Sequence, residues 1–506
     1  MVSRRNVLKG GIALGTAGLI GTVGSSTVGA QASFDNFVEV EGTNFVIGGE
    51  SFYLNGSNNF WITHAYDGTQ ERIDEVLQAF SDLGLNVIRM WANGAGDDKF
   101  QYEPGEYDED HFRVHDYVIA SAAEHGIRVV PSLVDNWDHE GGMLQYADWA
   151  GERNRTTFYT DEDAKQLYRD HVETILTREN YYTGVEWRED PTIMMWELAN
   201  EPRLEADEPG LDGNPEQVRA DDLHREILGD WIDEMSSYFK ELDSNHLVST
   251  GSEGHFYHEG ESYPDGTWGG QDFVEHHSYD SIDAASFHWY PDHWWCHDDC
   301  DDLSEVPLDR GPDWIESHAQ AAADELGIPA YLGEFNVRAE RPDQNQPNLQ
   351  PGEGHDLSTR DNHMEQWYDA ADEADLAGMM VWQLVLGSTQ DHDGFQIYPD
   401  EADYIAAYSD VVDEKSGNGG TGGTDHPCEE ADAASMEDVD GQTVCDLNGD
   451  GHYRDVNGDG TLTNGDVTTF FENQHTPSWD ERTDLFDFTG DGNVGQADVI
   501  DLFGEI

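Results

Sequence analysis

Two glutamates stand out because each directly follows a short apolar segment of the chain. Glu201 lies in Asn200-Glu201-Pro202, and Glu334 lies in Gly333-Glu334-Phe335. Cleavage of a glycosidic bond needs two carboxyl groups, one to protonate the leaving oxygen and one to attack the anomeric carbon or activate water. The pair therefore predicts glycoside hydrolysis, with Glu201 holding a proton as the acid and Glu334 ionised.

Other side chains near strand ends could support these two glutamates. They are Arg89, His288, Tyr290 and Trp382. Arg89 could keep Glu334 ionised, because a nearby cation favours the charged form of a carboxyl. Tyr290 could hydrogen-bond Glu334, and His288 could orient Glu201. The ring of Trp382 offers a flat face on which a sugar could stack. One glutamate at a strand end is weak evidence, whereas the combination of these roles is much stronger.

Eight short apolar runs are spaced along the large N-terminal part of the chain, and each is too short for a helix. They are 52–55, 87–91, 128–134, 193–198, 247–250, 285–289, 330–334 and 379–384. Amphipathic stretches such as Ile73–Leu83 and Trp231–Leu242 fall between them. Strands that alternate with helices imply a parallel sheet, and eight such units predict a closed (β/α)₈ TIM barrel.

In such a barrel the carboxyl ends of all the strands meet at one face, where active sites lie. Polar or aromatic residues follow strand after strand of this prediction. They include Arg89, Asn136, Trp137, Asn200, Glu201, Glu253, His288, Tyr290, Glu334 and Trp382. Surface residues would not be expected to recur in this way, so the pattern indicates a site at the barrel mouth.

With these motifs in order, the sequence resembles family 5 glycoside hydrolases, in particular plant and fungal endo-β-1,4-mannanases. The resemblance covers roughly residues 50–390. The matching stretches include Val87-Ile88-Arg89-Met90-Trp91-Ala92, Asp135-Asn136-Trp137-Asp138, Trp196-Glu197-Leu198-Ala199-Asn200-Glu201-Pro202-Arg203, Phe287-His288-Trp289-Tyr290-Pro291-Asp292, Gly333-Glu334-Phe335 and Val381-Trp382-Gln383.

The resemblance implies a retaining mechanism on a mannan-type polysaccharide, with no cofactor for catalysis. Glu334 would be the nucleophile and Glu201 the general acid/base, with carboxyl groups about 5–5.5 Å apart. It further implies that Asn200 contacts the 2-hydroxyl of the sugar and that Trp382 is the platform at the cleavage point. Substrate-binding roles at the cleft are also implied for Asn136, Trp137 and Arg203.

Two alternatives to a mannanase remain at this point. A β-1,4-glucanase could use the same barrel, Glu201 and Glu334. A non-catalytic polysaccharide-binding surface protein with a degenerate barrel would be expected to lack one carboxylate or Arg89. All three residues are present in the chain, which favours an enzyme.

The charge balance constrains both the setting and the partners of the protein. There are 106 Asp and Glu against 25 Lys and Arg, a formal charge of −81, yet 15 Trp, 21 Tyr and 20 Phe are available to build cores. A folded acidic protein this poor in Lys is typical of extreme halophiles, where molar salt shortens the screening length to about 3 Å. The alternative is an acidic calcium-buffering protein. No basic face is visible, which argues against a nucleic-acid partner.

Composition divides the chain into four parts. Residues 1–32 resemble a twin-arginine signal peptide, with Arg4-Arg5 before a weakly apolar stretch and Ala30-Gln31-Ala32 as a cleavage site. Secretion follows from this assignment, and the alternative is an N-terminal membrane anchor. The barrel is expected over 34–412, a Gly/Ser/Thr linker over 413–425 and a small module over 426–506. No membrane span is expected in the mature protein.

The C-terminal module contains two loops with the oxygen-ligand spacing of EF-hands. The first set of calcium ligands is Asp455, Asn457, Asp459, Thr461 and Asp466. The second set is Asp487, Thr489, Asp491, Asn493 and Asp498. Paired loops, each followed by one apolar helical segment, resemble dockerin modules, so a small α-helical calcium-binding domain is expected. Calcium could simply stabilise so small a core. The docking alternative implies a cohesin-like or cell-surface partner.

Overall fold

The computed structural model describes residues 34–416, apart from positions 35, 65–68, 98, 139, 258–268, 297–302, 304–305, 343, 345, 350–351, 388 and 390. Beyond residue 416 it describes 435–439, 442–446 and a few residues between 453 and 502. The proposed signal peptide, most of the linker and all ten predicted calcium ligands lie outside the described residues.

Eight parallel strands form the central sheet. They are β4 Leu54–Asn58, β5 Val87–Trp91, β8 Arg128–Ser132, β9 Met195–Glu197, β10 Leu247–Ser249, β11 Ala285–Trp289, β12 Ala330–Phe335 and β13 Gly378–Val381. Their order in the sheet is β10-β9-β8-β5-β4-β13-β12-β11. The two ends of this order meet where Ser249 pairs with Ala284 in parallel register, which closes the sheet into a barrel. The predicted (β/α)₈ barrel is thus confirmed.

Helices cover the outside of the barrel and bury their apolar faces against it. Their bounds are α1 Gln70–Asp82, α2 Glu109–Glu124, α3 Gly142–Ala150, α4 Arg155–Thr160, α5 Glu162–Leu176, α6 Pro215–Ala220, α7 Leu223–Leu242, α8 Phe273–His276, α9 Pro291–Cys296, α10 Gly311–Ala321, α11 Leu357–Glu373 and α12 Asp403–Lys415. In α1, Ile73, Val76, Leu77 and Phe80 are buried, as the helical spacing predicts. The side chain of Thr69 accepts a hydrogen bond from the backbone N–H of Arg72 and so caps its first turn.

A three-stranded antiparallel sheet precedes the barrel and was not predicted. It consists of β1 Val38–Glu41, β2 Asn44–Ile47 and β3 Glu50–Phe52. Val38 and Phe45 pack in one apolar cluster with residues from the barrel strands, including Leu54. The predicted first barrel strand, 52–55, was wrong at its start, because Phe52 pairs with Phe45 in this small sheet. A second small hairpin, β6 Gln101–Glu103 and β7 Glu106–Tyr107, follows β5.

In the C-terminal region the described residues include an antiparallel hairpin, β14 Ser435–Val439 and β15 Gln442–Asp446, and a short helix, α13 Thr483–Phe486. The hairpin was not part of the predicted helical module. The C-terminal region has an apolar cluster separate from those of the barrel, which includes Val444, Phe470 and Leu502. Among the helices that the structure describes, none has the length and apolar character needed to cross a bilayer.

Candidate active site

Arg89 lies in β5, is fully buried, and links three barrel strands through its guanidinium. Its Nε donates to Glu197 at 2.8 Å, its Nη2 donates to Asn200 at 2.8 Å, and its Nη1 donates to Asn58 at 2.8 Å. Nη1 also contacts Oε1 of Glu334. A guanidinium surrounded by acceptors on every side is fixed in position, so Arg89 presents a fixed positive charge to Glu334.

Glu197 was not predicted as a site residue, although it forms an ion pair with Arg89 at 2.7 Å. The side chain is fully buried in β9, and Tyr331 donates to its second oxygen at 2.8 Å. A charged residue inside a buried strand must have a partner, because an unpaired buried charge is very costly. That rule, applied to Glu197 in the apolar run 193–198, could have found it.

Glu334 lies in β12 and is bound by two donors. Besides Arg89, the hydroxyl of Tyr290 donates to its Oε2 at 2.9 Å. Burial raises the pKa of Glu334 well above its usual range, Arg89 and Tyr290 lower it, and the negative charge of Glu201 raises it. The predicted contact with Arg89 is therefore present and lowers the pKa of Glu334 as expected, but burial has the larger effect, so the net shift is upward.

Glu201 follows β9 and accepts hydrogen bonds from side chains that carry no charge. The indole Nε1 of Trp137 donates to its Oε2 at 2.6 Å, and Nδ1 of His288 lies 2.8 Å from its Oε1. Its backbone has a φ of 50°, in the left-handed region where non-glycine residues are uncommon. The backbone N–H of Glu201 donates to the carbonyl of Gly251 at 2.8 Å, which holds this turn.

His288 is fully buried, and burial lowers its pKa to about 3, with a further contribution from the positive charge of Arg89. The imidazole is therefore neutral at any pH where the protein would be expected to work. Glu334 thus lies against a cation, whereas the partners of Glu201 are a neutral imidazole and an indole.

The two glutamates face each other across a short gap. One oxygen of Glu201, one of Glu334 and a ring nitrogen of His288 lie within 4.8 Å of one another. Both glutamates are more than nine-tenths buried and line one cleft at the carboxyl ends of the barrel strands. The arrangement brings the two predicted carboxyl groups together at the barrel mouth.

An aromatic wall borders the cleft on the side of β4 and β13. Trp382 stacks on Phe60 with ring centroids 5.4 Å apart and an angle of 4° between the planes, and Trp91 packs against both rings. The cleft has a cavity volume of about 520 Å³. This lies within the range of about 300–1000 Å³ that pockets for drug-sized ligands span.

Arg203 and Trp137 line the same cleft on the side of Glu201. Arg203 donates through Nε to Glu253 at 2.6 Å, and its Cζ lies 5.2 Å from the centre of the Trp137 ring. Gln271 also donates to Glu253 at 2.9 Å. The structure therefore groups the predicted residues Arg203 and Trp137 into one packed unit beside Glu201.

Two predicted residues differ in their contacts with the cleft. Asn200 lines it and donates to Asp135 at 2.9 Å while accepting from Arg89. Asn136 is buried and is not among the residues that line it. Its Oδ1 accepts from Nε of Arg155 at 2.9 Å. The structure therefore gives Asn136 a supporting contact below the surface of the cleft.

Residues 35–389 match the sequence profile described as GH family 5 beta-mannosidase-like. The chain belongs to glycoside hydrolase family 5. It is 35% identical over 387 residues to mannan endo-1,4-beta-mannosidase 5 of Solanum lycopersicum, covering 72% of this chain and 86% of that relative. It is also 35% identical over 393 residues to mannan endo-1,4-beta-mannosidase 2 of Arabidopsis thaliana, covering 73% and 83%. This chain is thus a glycoside hydrolase.

Solved mannanase structures share its fold. The endo-1,4-beta-mannanase from Rhizomucor miehei superposes with a TM-score of 0.64 and 28% identity, covering 75% of this chain and all of that one (100%). The endo-beta-1,4-mannanase from Thermotoga petrophila gives a TM-score of 0.58 and 33% identity, covering 71% and 77%. The family 5 match extends over the barrel and stops short of the C-terminal region.

Proposed function

We propose that this glycoside hydrolase is a retaining endo-β-1,4-mannanase that cleaves internal bonds of mannan-type polysaccharides. The names of the relatives support the substrate, and the open cleft supports an internal point of attack. The observation that carries the mechanism is the pair Glu201 and Glu334, with oxygens within 4.8 Å and unlike partners.

The first step forms a glycosyl-enzyme. An oxygen of Glu334 attacks the anomeric carbon while Glu201 gives its proton to the glycosidic oxygen, so that the C–O bond breaks and the aglycone leaves as an alcohol. In the second step Glu201 removes a proton from water, the water oxygen bonds to the anomeric carbon, and Glu334 is released as a carboxylate. Inverting enzymes keep their carboxyl groups about 6.5–9.5 Å apart, so the close pair favours retention.

Before the reaction the two buried carboxyl groups share one proton, because two negative charges so close together disfavour each other. Arg89 and the Tyr290 hydroxyl both favour a negative charge on Glu334. Glu201 has only neutral partners, since burial lowers the pKa of His288 to about 3. These contacts support a proton on Glu201 and a charge on Glu334, as the two roles require.

The test is product release from linear β-mannan and from carboxymethyl cellulose, side by side in molar salt. Oligosaccharides from mannan, with cellulose untouched, are expected. Cleavage of cellulose alone would move the substrate to a β-1,4-glucan, and activity on neither would reject the proposed function. Proton NMR at early times checks the mechanism, because retention requires that the β-anomer of each new reducing end appears first.

Adaptation to high salt is part of the proposal. The charge of −81 supports it, because at low ionic strength so many like charges repel one another across the fold. Dialysis from molar salt into dilute buffer is expected to lower the free energy of unfolding and the activity together. Unchanged circular dichroism and full activity in dilute buffer would contradict this part.

We further propose that the protein is secreted by the twin-arginine route and that its C-terminal region binds calcium. The motifs at residues 1–32 and the two loops that begin at Asp455 and Asp487 support these proposals. Export should fail when Arg4-Arg5 is replaced by Lys-Lys.

Calcium titration of the full chain should show binding that the double substitution Asp459→Ala and Asp491→Ala weakens, with mannan hydrolysis unchanged. A cohesin-like or cell-surface partner would require a separate binding assay.

A further inference from the structure

The loops that follow β12 and β13 place two side chains of opposite charge in the cleft. Arg338 comes from the first loop and Asp393 from the second, and both line the cleft together with Phe395. Neither was among the predicted site residues. Sugar hydroxyls need both hydrogen-bond donors and acceptors, so a guanidinium and a carboxylate on one surface are suited to bind them.

The guanidinium of Arg338 makes no hydrogen bond or ion pair with any residue that the structure describes, although its Nε is fully buried. Its Cζ lies 5.6 Å from the centre of the Phe395 ring, which supports it from one side. A buried donor without an acceptor is costly, so an acceptor from outside the protein would be favoured here. Arg338 is therefore arranged to donate hydrogen bonds to a ligand in the cleft.

Asp393 offers the complementary acceptor. Its Oδ1 accepts from the backbone N–H of Phe395 at 3.2 Å. It also accepts from the side-chain NH₂ of Gln396 at 3.0 Å, in the amide orientation that gives both the oxygen and the nitrogen of Gln396 a partner. Burial raises the pKa of Asp393, the charge of Asp391 adds to this, and the charge of Arg338 opposes it. Oδ2 of Asp393 accepts nothing from the described residues and remains available to a ligand.

A buried network joins the two loops and makes this surface rigid. Arg341 donates to Asp391 at 2.8 Å and to both oxygens of Glu401, at 2.5 Å and 2.6 Å. Arg360 donates to the carbonyl of Gln396 at 3.2 Å. Because buried charge-assisted hydrogen bonds fix both loops, the ligand would not have to order them.

The reaction determines which part of the substrate this surface meets. Trp137 and Arg203 lie on the side of Glu201, which protonates the leaving sugar in the proposed function. Phe395 lies on the other side, with its ring 5.6 Å from that of Tyr290, whose hydroxyl donates to Glu334. The sugars that remain attached to Glu334 in the intermediate therefore extend towards Phe395 and Arg338.

We propose that Arg338 and Asp393 bind the free 2- and 3-hydroxyls of a β-1,4-linked mannose unit on the glycone side of the cleaved bond. Arg338 donates to one hydroxyl oxygen, and Asp393 accepts from the neighbouring hydroxyl. The inference rests on the proposed mannanase function and adds to it a specificity site that sets how many sugars lie before the cleavage point.

The experiment follows the hydrolysis of mannopentaose in H₂¹⁸O, where the new reducing end of the glycone product takes up the label. Mass spectrometry of labelled and unlabelled products then gives the position of each cut. Arg338→Met and Asp393→Asn should each shift cleavage towards products with fewer glycone sugars and lower kcat/KM by about 10-fold, mainly through KM. Arg338→Lys should restore part of the loss.

Matched controls are Arg113→Met, an arginine of α2 with a 46% exposed side chain, and Asp369→Asn, an exposed aspartate of α11. Both should keep the wild-type pattern of products. If the wild-type enzyme cuts mannopentaose and all three cleft variants keep its pattern while folded, the inference is wrong and the proposed function stands. If the wild type cuts no mannopentaose, the proposed function itself fails.

Discussion

Glu201 and Glu334 both lie buried at the barrel mouth, but the side chains around them differ in charge. Glu334 contacts a fixed guanidinium and a phenol, whereas Glu201 contacts an indole and an imidazole whose pKa burial lowers to about 3. Both lie at the carboxyl ends of strands of one barrel, Glu201 after β9 and Glu334 in β12, and both are almost fully buried. Because both sites are buried alike, the charge of the partners is what distinguishes the proposed nucleophile from the proposed acid.

The largest effect is expected when each of the two carboxyl groups is removed in turn. Glu334→Ala and Glu201→Ala should each lower kcat on mannan by at least about 10³-fold, because each removes a group that acts in both steps. Azide should discriminate between them. It should give a β-mannosyl azide with Glu201→Ala and an α-mannosyl azide with Glu334→Ala, measured by NMR with an aryl mannoside or mannobioside.

The controls for these variants are Glu365→Ala, an exposed glutamate of α11, and circular dichroism of each protein. If the azide products came from the opposite variants, the roles of Glu201 and Glu334 would have to be exchanged. If either alanine variant kept wild-type activity, that glutamate would not be catalytic.

Removal of the positive charge of Arg89, which lies against Glu334 and not against Glu201, should have the next largest effect. Arg89→Met leaves Glu197 buried without its cation, which typically costs about 3–5 kcal/mol of stability. The pKa of Glu334 should rise further, so the acid limb of the pH profile should move to higher pH and kcat should fall. Denaturant unfolding and the pH dependence of kcat/KM measure the two effects, and Arg113→Met is the control.

Removal of one hydrogen-bond donor at a time tests each site while an aromatic ring stays at each position. Tyr290→Phe removes a donor to ionised Glu334, so the pKa of that group and the acid limb of kcat/KM should move upward. Trp137→Phe removes the indole donor at 2.6 Å from Glu201, so it should lower the rate without moving the acid limb. Each variant should lose about 10-fold in kcat/KM. An acid limb that stays in place in Tyr290→Phe would show that Tyr290 does not favour the charge on Glu334.

His288 beside Glu201 is one of several buried histidines whose pKa is lowered. The effect expected of each of them on the free energy of unfolding is the smallest predicted for this protein. Burial lowers the pKa of His115, His171, His255, His276, His277, His288 and His318 to between about 3 and 4. In the unfolded chain these groups take up protons near pH 6.5, but in the folded protein they stay neutral.

Unfolding therefore takes up protons below about pH 6.5, and each such group can lower stability by up to about 1.4 kcal/mol per pH unit until its folded pKa is reached. Denaturant unfolding in constant molar salt should give a lower free energy at pH 5 than at pH 7. A constant value over this range would contradict the buried neutral state of the histidines.

Much of the barrel could be predicted because its signals are local. Buried parallel strands appear as short apolar runs, and helices such as α1 have a clear apolar face, so most elements were found within a few residues. The N-terminal sheet was missed because β1 to β3 have only three or four residues each. Its apolar residues Val38 and Phe45 are buried through contacts with the barrel strands, which no local pattern in the sequence shows.

The residues that could do chemistry are visible in the sequence: two glutamates at strand ends, Arg89 inside a strand, and aromatic residues for a sugar. How these residues act on one another depends on the fold, because burial and proximity come from strands far apart in the chain. It placed Glu197 under Arg89, gave Glu201 neutral partners, and turned Asn136 towards Arg155. It also brought Arg338 and Asp393 into one cleft, since loops of irregular structure leave no periodic pattern in a sequence.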